Sequence, residues 1–189
     1  MKAIKLFVVT LMLCLLSTGL YAQNKISLGV NGGLIVPTGN LGTNFNVSYN
    51  AGAEGVLKLD GTNALYADVT YNNLSPKVTV NNNITFSITE ISAGYRRVLT
   101  SLAGVSARSN LFLDAGAGMY TAKISVVNSS GSTSSSSESK FGINLGIGGQ
   151  FPLSNSSELI ARLKFHNVFT DNENTDYITL GAGVNFDLN

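Results

Sequence analysis

A chain of 189 residues has the length of one domain, yet only 12% of it is charged, about half the share usual in soluble domains. Twelve basic residues face 11 acidic ones, for a formal charge of +1, so there is no electrostatic footprint for nucleic acid. The single cysteine, Cys14, excludes a disulfide framework.

The N-terminus accounts for part of the low charge. Lys2 and Lys5 precede the apolar run LFVVTLMLCLL (6–16), and STGLYAQ (17–23) follows. The apolar run is too short to span a bilayer, and the order basic, apolar, small is that of a secretory signal peptide. Cleavage is expected after Ala22, leaving 1–22 as leader and 23–189 as the mature domain. Leu13 before Cys14 is not the small residue a lipoprotein signal needs. Removal of Lys2 and Lys5 leaves ten basic against 11 acidic residues. No later stretch is long and apolar enough for a transmembrane helix, so a membrane location would require strands.

Period-2 alternation then runs along the chain, as strands with two unlike faces require. The first strand is KISLGVNGG (25–33), with Ile26, Leu28 and Val30 on one face. YNAGAEGVLKLD (49–60) sets Ala51, Ala53, Leu57 and Leu59 against Glu54 and Lys58. ALYADVTY (64–71) sets Leu65, Ala67, Val69 and Tyr71 against Tyr66, Asp68 and Thr70. EISAGYRRV (90–98) sets Ile91, Ala93 and Tyr95 against Glu90, Ser92, Gly94 and Arg96. Upstream of it, Ile84, Phe86 and Ile88 hold the other phase, which implies a bulge near Thr89 or a hairpin arm beyond the membrane. LFLDAGAGMYTA (111–122) carries Asp114 and Phe112 opposite Leu111, Leu113, Ala115 and Ala117. FGINLGIGGQF (141–151) alternates Phe141, Ile143, Leu145 and Ile147 with Gly142, Asn144, Gly146 and Gly148. LIARLKFHNVF (159–169) alternates Leu159, Ala161, Leu163 and Phe165 with Arg162, Lys164 and His166, the only histidine. YITLGAGVNFDL (177–188) closes the series. No segment reads as an amphipathic helix. Long connections (36–47, 72–83, 129–140, 170–176) mostly alternate with short ones (60–63, 154–157), with 99–110 longer than a tight side calls for, as in an up-and-down antiparallel barrel with one elaborated rim.

The two faces decide the solvent. If the apolar faces formed a soluble core, the wet surface would carry Gly29, Gly94, Gly116, Gly118, Gly146, Gly148, Gly181 and Gly183, which shield nothing. If the apolar faces meet lipid, those glycines line a narrow interior where Tyr66, Phe112 and Tyr120 need room. The charges of that inner face come in both signs, as an enclosed space requires. A lumen polar network of Glu54, Lys58, Asp68, Glu90, Arg96, Asp114, Arg162, Lys164 and His166 is expected. Outward aromatics fall near strand ends: Tyr49, Tyr71, Phe141, Phe165 and Phe169 toward the long loops, and Tyr95, Phe151 and Phe186 toward the short turns. That is the placement of interfacial girdles, here without Trp. Backbone groups in hydrocarbon must all be paired, so the strands, about eight of them, must close.

The ordered series SLGVNGG, PTGNLG, EISAGYRRV, LFLDAGAG, FGINLGIGGQF and ITLGAGVNF resembles the small eight-stranded outer-membrane β-barrels of Gram-negative bacteria, of the OmpX/OmpA-like or porin-family type, over the whole of 23–189. The family's last strand carries an assembly signal ending on an aromatic; here Phe186 is followed by DLN. The resemblance implies residence in the cell outer membrane, contact with outer-membrane lipid, insertion by the outer-membrane assembly machinery, and a surface ligand at the loops. Members of the family adhere, bind ligands, support the envelope, form narrow pores or modify lipid. Those that deacylate lipid A pair a histidine with a serine two residues on; here that position is Val168, and His166 is expected to be inert. The loop TDNENTD (170–176) offers Asp171, Glu173 and Asp176 as hard donors for calcium but lacks the glycine and terminal Glu of an EF-hand loop, so a solvated acidic loop is expected. The serine run 129–139 reads as a flexible tip. The expectation is an all-β transmembrane barrel with no catalytic, cofactor or metal residues, a plugged lumen, and a structural or surface-interaction role. The alternatives are a small pore or transport protein, then a lipid-modifying enzyme or a soluble periplasmic ligand-binding barrel.

Overall fold

The computed structural model describes residues 25–77, 84–101, 109–127, 131, 133–171 and 174–188. The expected leader, 1–22, lies outside them. Eight long strands form the wall: β1 (Lys25–Pro37), β2 (Ser48–Lys58), β3 (Asn63–Pro76), β4 (Ile84–Ser101), β5 (Asn110–Val127), β6 (Thr133–Pro152), β7 (Ser157–Val168) and β8 (Thr175–Asp187). Each pairs antiparallel with its neighbour in sequence. The last strand pairs with the first, from Ser27↔Asp187 to Pro37↔Tyr177. This final ladder closes the sheet, and the chain is an up-and-down eight-stranded antiparallel barrel.

Two tight turns show how sequence sets the register. Between β2 and β3, Leu59 N–H donates to Asn63 O at 2.9 Å. The Asp60 carboxylate accepts from the Thr62 and Asn63 backbone N–H groups at 2.7 and 2.8 Å, and from Asn63 Nδ2 at 2.6 Å. The side-chain donation from Asn63, then the Thr62 backbone N–H, hold this exposed carboxyl down at about 2. Between β6 and β7, Leu153 N–H donates to Ser157 O at 2.9 Å.

The side-chain distribution is the reverse of that in a soluble protein. Val30 and Leu145 are 64% and 57% exposed, whereas Glu54, Asp68 and Arg96 are 4%, 2% and 0% exposed. Tyr49, Tyr71, Phe141, Phe165 and Phe169 stand on the outer face toward the long loops, and Tyr95 and Phe186 toward the short turns; Phe151 is half-buried. Inside, two glycines make room for rings. A Cβ on Gly148 would collide with the Phe112 ring, and one on Gly116 with the Tyr66 hydroxyl.

Three local expectations are corrected. There is no bulge near Thr89: the β4–β5 ladder runs unbroken from Ile84↔Val126 to Val98↔Phe112, and its register shift lies between Val98 and Thr100. Ile88, Glu90 and Ser92 all point inward. The apparent phase change arises because the faces exchange chemistry along one regular strand. Above Ile91 and Met119 the outer face turns polar (Thr85 and Thr89; Thr121 and Lys123; Ser137 and Ser139), while the inner face of β4 and β5 turns apolar. β4, β5 and β6 have 18, 18 and 20 residues, well beyond the ~9–11 that cross a bilayer, so they project past it as an arm.

The second correction concerns the serine run. Thr133–Ser139 is not a tip but strand, paired with β5 from Val127↔Thr133 to Thr121↔Ser139. A neighbouring ladder recruits any residue that can offer its backbone, and serine carries no apolar periodicity to announce this. Positions 129, 130 and 132 of the run lie outside the described residues. The third correction is a helix, α1 (Gly39–Asn44), in the first long loop. Its six residues are too few to show a helical period. The next residues, Phe45 and Asn46, pair with Pro76 and Ser75.

Leu145 sits at mid-wall on the outer face, opposite Ala115 and Phe165. Leu145→Arg is expected to destabilise the barrel by about 2–4 kcal/mol in urea unfolding from lipid vesicles. A water-facing leucine would tolerate the change within about 0.5 kcal/mol.

Candidate functional site in the barrel interior

Alternation delivers the charged side chains of β2, β3, β4, β5 and β7 to one enclosed space. Arg96 on β4 lies at its centre. Its Nε and Nη2 donate to the two Asp114 carboxylate oxygens at 2.8 and 3.0 Å, and Nη1 and Nη2 to those of Glu54 at 3.3 and 3.0 Å. The guanidinium carbon Cζ lies 4.2 Å from the Phe112 ring centroid. Arg162 on β7 reaches Glu54 at 2.5 Å and Asp114 at 3.5 Å. Lys164 donates to Asp68 at 2.6 Å and lies 5.0 Å from the Tyr66 ring centroid. Bidentate, hydrogen-bonded pairs of this kind are what make buried charge tolerable.

Lys58 stands apart from this cluster, at the short-turn rim, 2.9 Å from Asp187 and 3.6 Å from Glu158. Glu90 and His166 also stand apart, toward the long loops. His166 Nδ1 lies 3.4 Å from Glu90 Oε2 and 3.3 Å from the Tyr120 hydroxyl, and Nε2 lies 3.1 Å from Thr179 Oγ1. The Tyr177 ring stacks on the imidazole at 4.5 Å. Above them Ile35, Leu74, Ile88, Tyr120, Val168 and Tyr177 form an apolar cluster, with Leu41 of α1, Phe45 and Phe86 packed against it. The cluster forms a lid over the ionic interior.

Several members of this interior were not among the expected site residues. Ser92 bridges Asp68 and Glu90, Asn144 accepts from the Tyr66 hydroxyl at 2.7 Å, and Asn185 donates to Glu54 at 3.3 Å. All share the inward phase of their strands, which was the available signal. Val168, two residues after the histidine, lies in the apolar lid.

The Glu90–His166–Thr179 line has the order of an acid, base and hydroxyl, but the cavity beside it measures about 30 Å³. That is room for a water molecule and not for a substrate. A shallow depression of about 810 Å³ lies on the outer face of the wall among Val30, Ala53, Ala67, Ala93, Ala117 and Met119. Among the described residues, no three His, Cys, Asp or Glu side chains are placed to hold a metal. In the acidic loop, Asp171 accepts from Lys140 at 2.7 Å and Asp176 from Asn167 at 2.5 Å; Glu173 lies outside the described residues.

With the fold and interior in view, the class is plain: the chain has the fold of the small outer-membrane β-barrels. It is similar to Neisserial surface protein A, with TM-score 0.64 and 14% identity over 88% of this chain and 100% of that one. It is also similar to a major outer membrane protein from Thermus thermophilus, with TM-score 0.65 and 11% identity over 88% and 100%. The outer membrane protein AlkL, solved in DMPC bilayers, gives TM-score 0.52 and 13% identity over 91% and 94%. No family model and no curated protein sequence matches the chain.

Removing one partner from the ionic cluster should cost more than any single surface pair. Arg96→Met leaves Glu54 and Asp114 to share Arg162 alone and is expected to cost about 3–5 kcal/mol in denaturant unfolding. Tyr66→Phe leaves Asn144 Oδ1 short of a donor and is expected to cost about 1–3 kcal/mol.

Proposed function

We propose that this protein is an outer-membrane barrel with a plugged polar lumen that does no chemistry and acts as a structural or surface-interaction protein. The observation that supports this best is the filling of the interior. Strands β2, β3, β4, β5 and β7 contribute an ion-paired cluster, an apolar lid covers its long-loop end, and the cavity left between them is about 30 Å³. Such an interior stabilises the wall and leaves no aqueous column. Outer-membrane lipid is the partner of the apolar face, and the assembly machinery of that membrane inserts the chain. Recognition falls to the β4–β6 arm and the long loops, with α1 beside them.

A second reading, a small pore, has one observation in its favour. The wall formed by β8, β1 and β2 presents Gly29, Gly33, Gly52, Gly181 and Gly183 to the interior, and the small cavity lies against Gly181 and Gly183. A rearrangement of Arg162 or Lys164 toward that wall would open space. Recordings in planar bilayers distinguish the two. The plugged reading expects no steady conductance from the refolded barrel, and a stable open level would favour the pore. An epitope inserted at the exposed Gly131 is expected to bind antibody on intact cells; binding only after lysis would place the long loops on the wrong side.

A further inference from the structure

The enclosed interior has an uneven charge count. Its permanent cations among the described residues are Arg96, Arg162 and Lys164, and its carboxylates are Glu54, Asp68, Asp114 and Glu90. Three of these carboxylates touch a guanidinium or ammonium group: Glu54 at 2.5 Å from Arg162, Asp114 at 2.8 Å from Arg96 and Asp68 at 2.6 Å from Lys164. Among the described residues, Glu90 touches none. Its contacts are Ser92 Oγ at 2.8 Å, the Tyr120 hydroxyl at 3.3 Å, Asn144 Nδ2 at 3.4 Å and His166 Nδ1 at 3.4 Å.

The hydrogen count points the same way. Ser92 Oγ lies 2.7 Å from Asp68 Oδ1 as well as 2.8 Å from Glu90 Oε1. A hydroxyl has one hydrogen to donate, so it cannot serve two ionised carboxylates at once. Placing one further proton in this corner satisfies the charge, and where it sits on Glu90 it satisfies the hydrogen bonds as well, since Ser92 can then donate to Asp68 and accept from the Glu90 carboxyl.

We propose that Glu90 and His166 together form a buried proton-binding site that holds one proton in the folded barrel and thereby latches the apolar lid. The proton resides as imidazolium beside carboxylate or as imidazole beside carboxylic acid. In either form the interior is balanced, three positive against three negative charges plus a neutral or zwitterionic pair. Glu90 on β4 is faced by Asp68 on β3, Tyr120 on β5, Asn144 on β6, Arg162, Lys164 and His166 on β7, and Tyr177 and Thr179 on β8. Tyr66, Glu54 and Asp114 lie deeper, and Lys58, Glu158 and Asp187 are at the far rim.

The pair sits directly beneath the lid. Ile88, two residues before Glu90, belongs to it, and so do Tyr177, stacked on His166, and Tyr120, whose ring is 6.0 Å away edge-on. Loss of the proton leaves a negative charge with no counter-ion under an apolar cover. The site holds whether or not the lumen conducts.

The sign of the pH effect follows from the proton count. An unfolded chain above about pH 7.5 binds almost no proton at a free Glu and a free His. The folded pair binds one, so stability falls as pH rises above neutral, by up to about tenfold in the folded-to-unfolded ratio per pH unit. Glu90→Gln removes both the excess carboxylate and the need for the proton, so its stability should be flat over the same range.

Nuclear magnetic resonance of ¹⁵N-histidine, ¹³C-glutamate protein in bilayers tests the site directly, because His166 is the only histidine. The expected result at neutral pH is either a doubly protonated imidazole or a protonated glutamate carboxyl that is missing in Glu90→Gln. A neutral imidazole with every glutamate ionised overturns the proposal. So does a pH-independent unfolding equilibrium of the unsubstituted protein between neutral and mildly alkaline pH. Both readouts stand on the unsubstituted protein if Glu90→Gln fails to fold.

Discussion

The ladder between β1 and β8 is the constraint on which the rest depends. Eleven residues of β1, Ser27 through Pro37, pair with Tyr177 through Asp187. Without that ladder the sheet would carry two open edges. In hydrocarbon an open edge leaves backbone N–H and C=O groups with no water to bind them, at several kcal/mol each. Closure removes that cost, and once made it fixes what is inside. A barrel of eight strands has an interior only as wide as its own side chains. Tyr66, Phe112 and Tyr120 therefore need glycines beside them, and Gly116, Gly148 and Gly142 supply the gaps.

Closure also imposes the electrostatics. Side chains that point inward leave bulk water, so their charges must be met within the barrel. The Arg96–Glu54–Asp114 group, with Arg162 and Lys164–Asp68 around it, does so across strands far apart in sequence; Arg162 and Glu54 are 108 residues apart. Such pairs tie opposite walls of the barrel together. Toward the long loops the interior changes from ionic to apolar, and the change coincides with the polar turn of the outer face. The two faces exchange roles where the sheet leaves the bilayer. This gives the β4 and β5 part of the arm an apolar inner side, of which Ile88 and Phe86 close the barrel mouth, while β6 keeps Ser134, Ser136, Glu138 and Lys140 in the same phase.

Most of the wall was legible in the sequence because a half-buried strand writes its two environments in alternate letters. LIARLKFHNVF states both faces outright, and Leu163 and Lys164 fall where the period puts them. What stayed hidden lacked such a period. Thr133–Ser139 extends β6 on residues whose side chains are nearly all small and polar, so only the partner strand marks them. α1 is shorter than two helical turns. The apparent fault near Thr89 was misleading for a different reason: a fixed backbone phase crossed a boundary between solvents, and the letters changed while the geometry did not. Within the interior, single inward positions were readable, but which acid meets which base was not. Partnership depends on register and shear across the barrel, and a single sequence carries neither.

The central claim is that alternate residues of this wall face lipid and an enclosed interior. Spin labels on single cysteines at Leu159, Ala161, Leu163 and Phe165, with the chain's one cysteine, Cys14, replaced by serine, test it most directly. The account predicts that oxygen, which partitions into lipid, relaxes the labels at Ala161, Leu163 and Phe165 strongly, while a water-soluble nickel chelate does not reach them. Labels reached freely by the chelate, or immobile and shielded from both agents as in a packed core, would contradict it.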